Sequence, residues 1–359
     1  MTTVATMVSH SRPFIETDEI QAAIEVLRSR QLAQGGMVEQ FERGMAAYLG
    51  SAGGVAVSSG TAALEVALRA LGIGPGDEVV LPSYVCAAPW LAIQRVGAMH
   101  RVVDIDLETF AIDPTATRQA LTSKTKAIII PHMFGLPADL TALERLGVPL
   151  IEDCAQTLGA MEQGRVVGSV GLLTICSFYA TKLLCAGEGG MVLSRDESVL
   201  ERVRMLREYD EAPSLRPGAT NVKMTDLQAA IGLVQLNRMA CFLERRNWLA
   251  DEYRVTLDGT GLVQPIVPAG RTHVYYRFVV RMPDLHNQVN GVSSVIARFE
   301  GRGVQCRKPV FRSLHRYLDL DGFPASEEAE RTALSIPLFP SLTDEDVAQV
   351  HVALRSEWS

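Results

Sequence analysis

Leu172 to Ser194 reads LLTICSFYATKLLCAGEGGMVLS: two short apolar runs, Leu172 to Cys176 and Met191 to Ser194, around a loop that holds Lys182. The runs read as strands buried on both faces. Lys182 stands in Ser177-Phe178-Tyr179-Ala180-Thr181-Lys182, with Gly187, Gly189 and Gly190 just beyond. An amine inside such an apolar stretch is partly desolvated, which favours its neutral, nucleophilic form. A surface lysine that lays its stem over apolar neighbours is the plainer alternative. The flanking glycines favour a functional role, as does the scarcity of lysine elsewhere, where only Lys124, Lys126, Lys223 and Lys308 occur.

Upstream, Val148 to Ile151 is another apolar strand, and it ends at Glu152-Asp153. Open α/β sheets place ligands at such strand ends, and a carboxylate there needs a cation or a protonated nitrogen unless it merely caps a helix. Gln156 can offer an amide to the same ligand. Further upstream, the strand-like Val55-Ala56-Val57 feeds Ser58-Ser59-Gly60-Thr61 and then an apolar helix to about Leu71. The N–H groups of that helix start suit a phosphate, although an ordinary Ser/Thr cap looks the same in sequence. Gly72-Ile73-Gly74-Pro75-Gly76 follows a helix and contains proline, so it is a turn rather than a dinucleotide loop.

The alternation continues along the chain. Glu78 to Leu81, Arg101 to Ile105 and Lys126 to Ile130 read as strands; Pro89 to Val96, Thr115 to Leu121 and Leu140 to Leu146 read as helices. This pattern gives an α/β fold with a large domain built on a mostly parallel mixed sheet covered by helices. Ahead of it lie two amphipathic helices split at Gln34-Gly35-Gly36, the first with Ile20, Ile24 and Leu27 on one face and the second with Phe41, Met45 and Tyr48. A long helical stretch from Thr225 to about Leu257 bridges to a smaller α+β domain with a strand at Val274 to Val280 and helices at Val292 to Glu300 and Thr343 to Arg355. The expected division is residues 1–240 and 241–359.

A length of 359 residues suits two such domains, and 47% hydrophobic with 21% charged residues is ordinary for a packed protein. A net charge of −7 argues against a nucleic-acid binder. No apolar run is long enough to span a membrane and no export pattern is seen, so a cytoplasmic location is expected. Cys86, Cys154, Cys176, Cys185, Cys241 and Cys306 lack metal or disulfide spacing and read as buried free thiols.

A phosphate cup, a strand-end Asp153 and a desolvated Lys182 together match what pyridoxal phosphate requires: an anion site, a carboxylate for the pyridine nitrogen and an amine for the aldehyde. The runs SSGTAALEVALRALGIGPGDEVVLPSY, IEDCAQTLGA, SFYATKLLCAGEGGMV, TNVKMTDLQAAIGLVQL and LSIPLFPSLTDEDV resemble the DegT/DnrJ/EryC1/StrS sugar aminotransferases, which are fold type I pyridoxal phosphate enzymes. The resemblance implies that Lys182 binds the coenzyme covalently and that Asp153 partners its ring nitrogen. It also implies that Gln156 lies near the phenolic oxygen, that Gly60, Thr61 and Ser177 hold the phosphate, and that Asn221 reaches the phosphate of the neighbouring subunit. A homodimer with shared sites follows from the last of these. Cys86 stands where many relatives stack an aromatic residue on the ring, with Tyr84 as a substitute, and Lys223 stands where arginine is usual. Relatives that deoxygenate sugars carry histidine at the lysine position, so Lys182 argues against that branch.

The resemblance further implies transfer of an amino group from glutamate, through pyridoxamine phosphate, to a keto group of a nucleotide-linked deoxysugar. A cyclitol or other free ketone is the alternative acceptor, and a non-catalytic coenzyme-binding protein is a third reading. Arg302, Arg307, Lys308, Arg312, His315 and Arg316 form the densest basic run. A solvated surface is the usual meaning of such a run. Here Arg307 or Arg312 is expected to hold the anionic part of the acceptor, with His315 beside the sugar.

Overall fold

The computed structural model describes residues 7–209, 217–285 and 291–358. Two helices open it, α1 (Thr17–Ser29) and α2 (Gly36–Leu49). The break between them is fixed by Asp226, whose Oδ1 accepts the N–H groups of Gly35 and Val38 at 2.8 and 3.0 Å. A Cβ on Gly35 would sit 2.9 Å from Asp226 Oδ2, so only glycine lets the carboxylate this close.

Strands and helices then alternate: β1 (Gly53–Val57), α3 (Gly60–Ala70), β2 (Glu78–Pro82), α4 (Ala88–Val96), β3 (Met99–Val103), α5 (Pro114–Ala120), β4 (Thr125–Pro131), α6 (Leu140–Glu144) and β5 (Leu150–Asp153). A small hairpin, β6 (Met161–Glu162) and β7 (Arg165–Val166), precedes β8 (Leu173–Ser177), β9 (Gly190–Ser194) and α7 (Glu197–Arg207). Seven strands form one sheet in the order β1-β9-β8-β5-β4-β2-β3. Only β9 runs against the rest, pairing antiparallel with both β1 and β8. The carboxyl ends of β1, β2, β5 and β8 therefore share one edge of the sheet with the start of β9.

Both faces of this sheet are covered, as near-continuous apolar strands require. Successive residues alternate between the layers: Val55, Val57, Ile175 and Val192 pack under α3 and α7, while Ala56, Cys176, Met191 and Leu193 pack against α2. Each of the valines, Ile175, Leu193 and Met191 contributes about 1.5–3 kcal/mol on burial, and Ala56 less.

Beyond the sheet come α8 (Asp226–Asn237), α9 (Met239–Thr256), β10 (Phe278–Arg281), α10 (Gly291–Gly301), α11 (Leu314–Leu318), α12 (Pro324–Thr332), β11 (Ala333–Ile336) and α13 (Asp344–Trp358). The antiparallel pair β10 and β11 lies in a second core with Leu249, Tyr253, Phe299, Val350 and also Val8 from the start of the chain. The expected division after residue 240 falls inside α9, which feeds both cores: Phe242 packs toward the sheet and Tyr253 into the second core.

Four sequence expectations are corrected. The long helix from Thr225 is two helices that part at Arg238, whose guanidinium is drawn to Glu16, Asp18 and Glu19 around the start of α1. The strand expected at Val274 is regular only from Phe278, because Tyr275 takes a left-handed φ of 46°. The stripe of α1 is not buried in its own chain, since Ile20 and Leu27 are each 54% exposed and Glu19 faces inward to Gln235 at 2.8 Å. Among the described residues no helix is long and apolar enough to cross a membrane. Of the cysteines expected to be buried, Cys86 and Cys241 are exposed.

Candidate active site

At the end of β1, Ser59 caps α3: its hydroxyl accepts the Ala62 N–H at 3.1 Å and its carbonyl the Ala63 N–H at 2.9 Å. The N–H groups of Gly60 and Thr61 have no partner among the described residues, so the helix start keeps two donors for an anion with its dipole behind them. The cap and the anion cup are thus one structure. A Cβ on Gly60 would lie 2.8 Å from Ser177 Cβ, which brings the end of β8 and its hydroxyl against the cup. A Cβ on Gly190 would overlap the Ser59 carbonyl, so glycine is what lets β9 start there.

Asp153 closes β5. Its Oδ1 accepts the Ala155 N–H at 3.0 Å, and no helix follows for it to cap. Burial pushes its carboxyl up, opposed by that N–H and by the charge of Lys182, so the group favours a proton or a cationic partner. Its backbone is held from behind, where the His132 N–H donates to the Asp153 carbonyl at 3.1 Å. His132 Nδ1 accepts the Ala138 N–H at 3.0 Å, which leaves Nε2 to donate to Glu152 at 3.1 Å. Glu152 also receives the N–H groups of Gly168, Val170 and Gly171, so its lone pairs are committed although Cys154 lies within metal-binding range.

Lys182 sits in a tight loop closed by Phe178 N–H to Gly189 O at 2.9 Å and Ala186 N–H to Phe178 O at 2.8 Å. Phe178, Leu183, Leu184 and Ala186 are buried beneath it, and its Nζ lies 5.2 Å from the centroid of the Tyr276 ring. Burial pushes the Tyr276 phenol up, but Lys182 and Arg277 outweigh it and bring the group down to about 8. Cys86, after β2, is near enough to Lys182 and Asp153 for both charges to act on its thiol. Gln156 Oε1 accepts the Phe134 N–H at 2.9 Å, which leaves its NH2 for a ligand.

Tyr84 cannot replace the ring-stacking aromatic: it is wholly buried, 5.8 Å from Phe110 in a stacked pair. Asn221 is exposed, next to Val222, whose carbonyl accepts the Ser58 N–H at 2.7 Å beside the cup. Arg307 and Arg312 line an open groove of about 850 Å3 with Lys308 and Phe311. His315 is not on that groove. Its Nδ1 is 2.6 Å from Ser83 Oγ, its ring stacks on Phe323 at 5.0 Å, and no part of it is exposed. The Leu314 N–H bond to the Ser83 carbonyl draws α11 against the end of β2 and so encloses it.

The sequence did not single out Tyr276, Arg277 or the buried Arg246. All three sit in apolar or helical patterns that read as core.

A family model for the DegT/DnrJ/EryC1/StrS aminotransferases matches residues 13–355. The chain belongs to the DegT/DnrJ/EryC1/StrS aminotransferase family. It is 33% identical to the spore coat polysaccharide biosynthesis protein SpsC of Bacillus subtilis (strain 168), over 96% of each chain. Among solved structures, it matches DesV of S. venezuelae with a TM-score of 0.89 at 32% identity, over 97% of this chain and 99% of that one. The sugar aminotransferase Spr1654 of Streptococcus pneumoniae, described as putative, matches in its PLP form with a TM-score of 0.92 at 26% identity, over 98% of each chain. The fold is that of the pyridoxal phosphate aminotransferases, and the protein is a pyridoxal phosphate-dependent aminotransferase whose coenzyme passes through pyridoxamine phosphate. The residues present fit that coenzyme: the Gly60–Ser177 cradle leaves free N–H donors for its phosphate, and Asp153 has a free carboxylate oxygen for its ring nitrogen.

Proposed function

We propose that this aminotransferase moves an amino group from glutamate to a keto group of a nucleotide-linked deoxysugar, working in the cytoplasm as a homodimer with shared sites. Pyridoxal phosphate, when bound, supplies the carbonyl that receives the amino group and a ring that takes up the electrons released with the α-proton. Lys182 holds the coenzyme and then serves as the base: its Nζ takes the donor's α-proton and returns it on the other side of the transfer. Asp153 keeps a proton on the ring nitrogen. Gly60, Thr61 and Ser177 bind the phosphate, Gln156 gives its NH2 to the phenolic oxygen, Cys86 lies against the ring, and Asn221 serves the neighbouring subunit's phosphate.

The observation that carries the acceptor assignment is the groove beside the site. Arg307 and Lys308 have no ion pair among the described residues, and Arg312 spends one N–H on the Arg316 carbonyl at 2.8 Å. Unpaired guanidinium groups on an open groove suit a diphosphate, which accepts their forked donors. Phe311, 86% exposed on the same groove, offers a flat apolar face. His315 lies off this groove, buried against Ser83 and Phe323.

The test begins with holoenzyme converted by glutamate. Nucleotide-linked keto-sugars and free cyclitol ketones are then added, and return of the original coenzyme absorbance is followed. Only the nucleotide-linked ketones should restore it efficiently. Arg307→Ala or Arg312→Ala should raise the acceptor KM about tenfold or more and leave the glutamate half-reaction unchanged. Equal response to free ketones, or unaltered acceptor kinetics in both variants, would reject the assignment.

A further inference from the structure

We propose that Arg277 binds the α-carboxylate of the amino donor. The proposal rests on the reading of the donor as an α-amino acid that reacts at Lys182. A narrow cavity adjoins Lys182, and its walls carry Arg12, Arg246 and Arg277 but no carboxylate. His10, also on the wall, is held neutral by burial and by Arg277 and Arg307, its pKa lowered to about 3. A positively charged cavity with no acid in its walls is a site for an anion.

Of the three arginines, Arg246 is spent. It is buried, and one Nη donates toward the carbonyls of Tyr275, Tyr276 and Leu338 at 3.0, 3.2 and 3.1 Å. Arg12 is exposed and lies over Phe339 at 5.7 Å. Arg277 is half-buried, and its contacts are a long bond to the Pro309 carbonyl at 3.4 Å and the Tyr276 side chain, whose ring centroid is 5.6 Å away. It has no carboxylate partner among the described residues. Lys182 Nζ lies 5.2 Å from the centroid of that same ring, so one side chain adjoins both charges.

The backbone around Arg277 is fixed with strain, as expected where a side chain must be aimed. Phe134 and Tyr275 take left-handed φ values of 59° and 46°. A Cβ on Gly135 would lie 2.8 Å from the N atoms of Tyr275 and Tyr276. The Arg277 N–H donates to the Phe134 carbonyl at 3.1 Å, and the Phe134 N–H donates to Gln156. The loop that orients Gln156 therefore also sets Arg277.

Covalent chemistry decides which anion belongs here. An α-amino acid carries its amine and carboxylate on one carbon, so its anion must fall close to the lysine. The phosphate of a sugar acceptor is separated from the reacting carbonyl by part of the sugar ring and falls farther away. Arg277 borders both the Lys182 cavity and the wide groove, whereas Arg307 and Arg312 border only the groove. The nearer cation takes the carboxylate and the farther ones take the phosphates.

The test uses the holoenzyme with three probes: glutamate, 4-aminobutyrate, which lacks the α-carboxylate, and α-methylglutamate, which binds but has no α-proton to lose. Arg277→Gln should raise the half-saturating glutamate concentration about 10- to 100-fold and weaken equilibrium binding of α-methylglutamate, read from the coenzyme spectrum, to a similar degree. Its response to 4-aminobutyrate should stay as in the wild type, and Arg277→Lys should recover part of the loss. Unchanged α-methylglutamate binding in Arg277→Gln overturns the proposal. So does an effect confined to the acceptor KM, which would make Arg277 part of the phosphate groove. If the wild-type coenzyme responds to no α-amino acid, the donor reading fails and the proposal fails with it.

Discussion

Burial raises the Asp153 carboxyl, while the Ala155 N–H and the charges of Lys182 and His132 oppose that rise. A protonated pyridine nitrogen would reverse the balance and make the carboxylate the favoured form. If the Gly60–Ser177 cup grips the coenzyme by its phosphate, Asp153→Asn should keep most of the coenzyme and lose turnover. Loss of one charged hydrogen bond is worth about 1.5–3 kcal/mol, or roughly 10- to 150-fold in rate. Absorbance titration with pyridoxal phosphate gives the occupancy and steady-state assays give the rate; near wild-type turnover would refute the role. Asp153 and Lys182 were legible in sequence because each is a charged residue out of place, one ending an apolar strand and one inside an apolar loop. Arg277 was not. Its setting, Val-Tyr-Tyr-Arg-Phe-Val-Val from Val274, alternates like a strand, and nothing local reveals that Tyr275 turns left-handed or that Arg246 grips its carbonyl.

The first described segment of the chain is an element that apolar periodicity does not reveal. Val8 bridges to Val304, with its N–H on the Gly303 carbonyl at 2.8 Å, and His10 Nε2 meets Ser335 Oγ at 2.9 Å. Val8 and His10 thus tie this segment to the second core across a separation of about three hundred positions, which only tertiary structure can show. The same limit hid the break at Arg238, where ion pairs to α1 rather than a proline or glycine mark the helix end. The inner strands of the main sheet were legible because they are apolar runs buried on both faces, whereas the edge strand β3 is half exposed. His10 makes the strap sensitive to pH. Its folded pKa of about 3 lies below the ordinary 6.5, so the folded chain binds fewer protons than the unfolded one between these values. The stability this contributes is complete above pH 6.5 and is lost as pH falls toward 3. At pH 5 the loss amounts to about 2 kcal/mol. Chemical denaturation at pH 7 and pH 5 should show that drop in the wild type and a smaller one in His10→Gln; equal drops would show that His10 does not set the slope.

Ile15, Ile20, Leu27 and Leu32 flank or lie on α1 and are all open to solvent, and Asn221 is exposed beside its own phosphate cup with only a 3.5 Å contact from the Lys223 N–H. An apolar stripe of this kind is a surface that a second copy can bury. If the two copies join there and exchange Asn221 across the interface, neither lesion need be fatal when the other subunit is sound at that position. Mixed dimers of Lys182→Ala chains with Asn221→Ala chains would contain one site with both residues intact and one with neither. Equal mixing with full exchange makes half of all dimers mixed, so about a quarter of all sites should recover activity. The Lys182→Ala homodimer gives no background, because it lacks the amine altogether. Ile20→Glu with Leu27→Glu in both chains should abolish the recovery by keeping the chains apart, which sedimentation can verify. If Asn221 served the cup of its own chain, every site in the mixture would carry one lesion or the other. Mixed dimers isolated with two affinity tags would then show no more than about half the activity of the Asn221→Ala parent, one lysine-bearing site per dimer instead of two, and the shared site would be excluded.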